Sequence, residues 1–89
     1  MTFIVDPAVF TKLEKQLADS HQVTMAPGPT LANGDESGTL THEKVQAQYT
    51  FTPADSKLIV VVTKGGNWMV NLAVSSRIKD AIKAASAPA

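Results

Sequence analysis

The chain contains no cysteine, which excludes a disulfide framework and any thiolate metal site. Small secreted domains usually depend on such staples, so their absence argues mildly against secretion. The opening Met1-Thr2-Phe3-Ile4-Val5-Asp6-Pro7 has neither the basic segment nor the long apolar run of a secretory signal. No apolar stretch approaches the ~20 residues that cross a bilayer. The expectation is a cytoplasmic protein with no membrane partner.

Net charge is missing too, since eight Lys and Arg residues balance eight Asp and Glu. Aromatic residues are sparse, with three Phe, one Tyr and one Trp. Nucleic-acid binders usually combine an excess of positive charge with stacking aromatics. No nucleic-acid partner is therefore expected, although Lys57, Lys64, Arg77, Lys79 and Lys83 fall in one half of the chain. Charge is unevenly distributed along the sequence. Residues 1–43 carry a net −4 and residues 44–89 a net +4. Such a split can cancel within the fold, or it can favour self-association or an anionic partner.

With 44% apolar and 18% charged residues, the chain has a globular composition. At 89 residues it reads as a single domain over residues 1–86, with a frayed tail at 87–89. A chain of this length buries roughly 60–65% of its unfolded surface, a modest core that leaves little room for a two-lobed catalytic cleft.

The clearest local signal runs from Lys44 to Thr63. Val45, Ala47, Tyr49 and Phe51 alternate with Lys44, Gln46, Gln48, Thr50 and Thr52, the period of a half-buried strand. Pro53-Ala54-Asp55-Ser56 is turn chemistry, and Lys57–Thr63 is a second strand, apolar on both faces. Upstream, Asp6-Pro7 is a helix start, and Val9, Phe10, Leu13 and Leu17 make one apolar stripe over residues 7–20. Phe3-Ile4-Val5 is either a short strand or a staple onto that helix. Gln22–Met25 and Thr39–His42 read as short strands, with Glu43-Lys44 as a tight turn. The Pro- and Gly-rich segment 26–38 reads as a mobile loop, unless Asn33-Gly34 closes a hairpin through it. After a turn at Lys64–Asn67, a second helix is expected, capped by Asn71 or Ser75, with Leu72, Val74, Ile78, Ala81, Ile82 and Ala85 at helical spacing. The fold class is therefore α+β. A three- or four-stranded antiparallel meander is flanked by N- and C-terminal helices packed on one sheet face.

Motifs that could carry chemistry are weak. Ser76-Arg77-Ile78-Lys79 fits the S-x-x-K pattern of serine acyl enzymes, but no S-D-N is present and Lys64-Gly65-Gly66 precedes the motif rather than following it. His21 and His42 are the only histidines, and no H-E-x-x-H or i, i+4 pair exists, so no metal or other cofactor is expected. Gly65-Gly66 beside Lys64 lacks the glycines and the Lys-Ser or Lys-Thr helix start of a phosphate loop. No catalytic residues are assigned, and the protein is expected not to be an enzyme.

Ile59, Val61, Trp68 and Met69 remain as candidate interface residues. If Leu58, Val60 and Val62 face the helices, Ile59 and Val61 face away from them. Trp68 and Met69 follow in the connection to the last helix, and both are residue types enriched at contact surfaces. The function expected on these grounds is a small non-enzymatic interaction or accessory domain, a homo-oligomer or one bound to a protein partner. The alternative is a binder of a small apolar ligand between sheet and helices.

Overall fold

The alternation that marks Val45–Thr52 sets the centre of the sheet, and every other element is placed relative to it. The computed structural model describes residues 1–86, so the tail expected at 87–89 lies outside the described residues. In chain order the elements are β1 (Thr2–Ile4), α1 (Pro7–His21), β2 (Thr24–Thr30), β3 (Glu36–His42), β4 (Val45–Thr52), a 3-10 turn (Pro53–Asp55), β5 (Lys57–Lys64) and α2 (Trp68–Ser86). The strands form one antiparallel sheet in the order β1-β5-β4-β3-β2. The fold class stands as expected, but the sheet has five strands rather than three or four.

The extra strands have identifiable causes. Phe3 is buried while Thr2 and Ile4 are exposed, so this segment has the period of a strand and fills the open edge beside β5. The Val60 N–H donates to the Met1 carbonyl at 2.8 Å and extends the pairing by one residue. At the opposite edge, the segment expected to be a loop forms most of a hairpin. Met25 pairs with Leu40 and Pro27 with Gly38, and a bulge follows before Thr30 meets Glu36. Pro27 and Pro29 are tolerated because β2 is an edge strand, where a missing N–H need not break a ladder. Only 31–35 turns the chain, with Leu31 N–H bonded to the Asp35 carbonyl and Gly34 at φ 89°. Lengthening this tip should be cheap and shortening the strand should not. Inserting three Gly or Ser residues between Asn33 and Gly34 is expected to cost under about 1 kcal/mol. Deleting Pro27–Pro29 should lower the urea midpoint clearly, because it strips the strand that covers β3. Equal midpoints for the two variants would show that this edge adds nothing to stability.

Both helices lie on one sheet face. Asp6 caps α1, its Oδ1 accepting from the Ala8 N–H at 2.9 Å with Pro7 at the first helical position. Phe10, Leu13 and Leu17 are its buried stripe. They meet Ala47, Tyr49 and Phe51 of β4, Leu58 and Val60 of β5, and Ile78 and Ala81 of α2 in one core. Phe10 stacks on Phe51 at 4.1 Å and 8°, and tilts against Tyr49 at 5.9 Å. The second helix starts a turn earlier than its expected caps. Asn67, not Asn71 or Ser75, accepts from the Val70 N–H at 2.9 Å, and the Asn71 N–H donates to the Asn67 carbonyl.

Candidate functional site

Three surfaces can carry function, and each follows from how strands and helices alternate their faces. The first is the outer sheet face. Because Leu58 and Val60 are buried against the helices, Ile59 and Val61 point outward, 41% and 55% exposed. Register aligns them with uncharged neighbours. One row crosses the sheet through Ala26, Thr39, Gln48 and Val61, and the next through Ser37, Thr50, Ile59 and Thr2. Ile4, 72% exposed, sits opposite Lys57 and so diagonally from Ile59. These two rows carry no ionisable side chain, although a solvated face normally would.

The second surface is the start of α2. Trp68, Met69 and Leu72 are exposed, at positions i, i+1 and i+4 of one helix stripe. No charged residue occurs between Lys64 and Arg77, so the first two turns of this helix are uncharged all round. The candidate interface is therefore not one patch. Ile59 and Val61 belong to the outer sheet face, whereas Trp68 and Met69 open a helix whose later turns pack on the inner face.

The third surface is a cleft between the middle of α2 and the far half of the sheet, about 160 Å³ in volume. Val23, Leu40, Val45, Ala47, Val74 and Ile78 form most of its wall, with His42 and Arg77 also lining it. The Arg77 Nη1 lies 2.9 Å from His42 Nε2, and His42 Nδ1 lies 3.2 Å from the Gln22 carbonyl. The guanidinium can only donate, so Nε2 accepts and Nδ1–H donates to the carbonyl. Gln22 can offer that carbonyl because it ends α1 in the left-handed region, φ 56°, with its N–H returned to the Leu17 carbonyl.

The remaining chemical candidates are not assembled into a site. Ser76 and Lys79 are exposed on α2, and His21 ends α1. Gly65-Gly66 forms the turn that leads into the Asn67 cap. No group of three or more His, Asp and Glu side chains comes together among the described residues. Among the described residues no helix is long and apolar enough to cross a membrane. The acidity of Tyr49 is shifted by its surroundings. Burial pushes its phenol up, and the nearby carboxylates of Glu36 and Glu14 add to the effect. Its hydroxyl therefore stays protonated through the neutral range and serves packing.

Two functional candidates escape sequence reasoning. Ile4 joins the outer patch through a pairing between residues more than 50 positions apart, which no local pattern reveals. Leu72 reads from its spacing as a core residue, but α2 turns it to solvent. No family model, curated protein or solved structure matches the chain.

Proposed function

We propose that this protein is a small non-enzymatic interaction domain that self-associates through its outer sheet face. The observation that carries this reading is the pair of uncharged rows in which Ile59 and Val61 are exposed, with exposed Ile4 diagonal to Ile59. The sheet edges favour a face-to-face contact over edge pairing. One edge is a three-residue strand and the other carries Pro27 and Pro29, both features that blunt strand addition. Four strands of ~25 Å at ~4.8 Å spacing, with the short β1 beside them, offer about 500 Å² per copy, the size of a small and weaker protein contact. Because the contact rows lack charge, a two-fold arrangement sets no like charges against each other there, and each residue is used twice.

Sedimentation equilibrium is expected to give a dimer at micromolar concentration. Changing Ile59 to Thr and Val61 to Lys together should preserve the circular dichroism spectrum and weaken the dimer about 100-fold. That corresponds to losing about 3 kcal/mol of apolar burial. Trp68→Gln with Met69→Gln should leave the dimer unchanged. A wild-type chain that stays monomeric up to about 1 mM, far above the micromolar range expected here, sinks the proposal. Loss of the dimer only in the helix variant would move the contact to α2.

A further inference from the structure

We infer that the cleft between α2 and strands β3 and β4 binds a small apolar monocarboxylate, with its hydrocarbon part inside and its carboxylate on Arg77. The site is separate from the proposed contact face, because its walls are inward side chains of the sheet and the underside of α2. Its volume of about 160 Å³ suits one ring or a chain of about six carbons, since an apolar cavity of ~150 Å³ holds benzene. Apolar walls of this kind do not hold water well, which favours a hydrocarbon occupant.

The head group follows from the polar atoms present. Among the residues lining the cleft, Arg77 is the only one with a permanent charge, and no Asp or Glu lines it. Its one side-chain hydrogen bond among the described residues is to the neutral acceptor nitrogen of His42. A guanidinium has five donors, so most remain free for a planar anion, which it can hold through two parallel bonds. The bond from His42 Nδ1–H to the Gln22 carbonyl fixes the ring and, through it, the pose of Arg77. His42 is thus a positioning residue. An apolar wall with one cation beside it matches an anion with a short apolar body. A long-chain lipid is too large for it, and a polyanion would find only one positive partner.

Titration calorimetry of the full chain with hexanoate tests this, with 1-hexanol as the neutral counterpart of the same length. Hexanoate is expected to bind saturably with one site, and hexanol at least 10-fold more weakly. Arg77→Gln should cut hexanoate affinity at least 10-fold and leave hexanol unchanged. Ala73 is exposed and lines the cleft, so Ala73→Phe should block both ligands without unfolding the chain. Amide chemical shifts of residues 40–47 and 70–78 should move with hexanoate in the wild type. Equal affinity for acid and alcohol, or hexanoate binding that survives Ala73→Phe, overturns the inference. So does the absence of heat and of shift changes at millimolar hexanoate. The two wild-type ligand arms decide the matter even if the Arg77 variant folds poorly. Dimer dissociation by Ile59 and Val61 substitution should not affect these titrations.

Discussion

Phe51→Ala is expected to lower the free energy of unfolding by about 3–5 kcal/mol, measured as a fall in the urea midpoint with little change in slope. Phe51 is 1% exposed near the end of the central strand β4, and its ring lies flat on Phe10 of α1. Truncation removes the transfer energy of the ring and also leaves a void that fixed neighbours can fill only in part. Leu13, Leu17, Leu58 and Val60 are all at or below 2% exposure. Each is anchored by a helix or strand, so collapse into the space is limited. For a domain of this size such a loss is a large fraction of total stability, and the variant should be partly unfolded at physiological temperature. A cost under about 1 kcal/mol would mean that the stacked pair contributes little and that the core is held elsewhere.

The second large effect is expected at a glycine. A Cβ on Gly38 would lie 2.5 Å from the Ala26 carbonyl oxygen and 2.6 Å from the Tyr49 ring. One obstacle is backbone of the paired edge strand, and the other is a buried aromatic that cannot easily rotate away. Gly38→Ala should therefore cost about 2–3 kcal/mol through overpacking, although alanine is ordinarily the better strand residue of the two. Amide exchange should localise the damage, with protection lost first in β2 and at Tyr49. Gly34→Ala serves as the contrast, since no neighbour lies within 4 Å and only its positive φ opposes the change. Equal effects at the two glycines would mean that the Tyr49 contact is not what demands Gly38.

That same glycine helps explain why segment 26–38 reads as a loop in the sequence. Pro27, Gly28, Pro29 and Gly38 are loop residues by local preference. Here an edge position excuses the prolines, and a cross-strand tyrosine requires Gly38. Neither condition is visible without knowing the register. Strand β4 is legible because Val45 to Phe51 keep a strict period of two, whereas Leu58 to Val62 are apolar on both faces and only the packing against the helices sends Ile59 and Val61 outward. The start of α2 is not legible. Trp68, Met69 and Leu72 are apolar yet exposed, so their pattern hides the Asn67 cap and suggests a later start. The cleft depends on His42 and Arg77, 35 residues apart, meeting across a gap whose width is set by the packing of α2.

The short β1 strand has a consequence for how the chain behaves while it is not fully folded. It covers Lys57–Ile59 and can dock only after nearly two-thirds of the sequence has been laid down. Before β1 docks, the run Leu58-Ile59-Val60-Val61-Val62 has one side open along its whole length, and after docking Val61 and Val62 still have no strand partner on that side. This run has high β-preference, no proline and no charge, the composition that stacks readily into fibrils. Lys57 and Lys64 bracket it at both ends and repel a second copy brought into register, as flanking charges do around unavoidable apolar strands. Docking of the three-residue β1 thus closes the first part of this run, while the two lysines guard its ends.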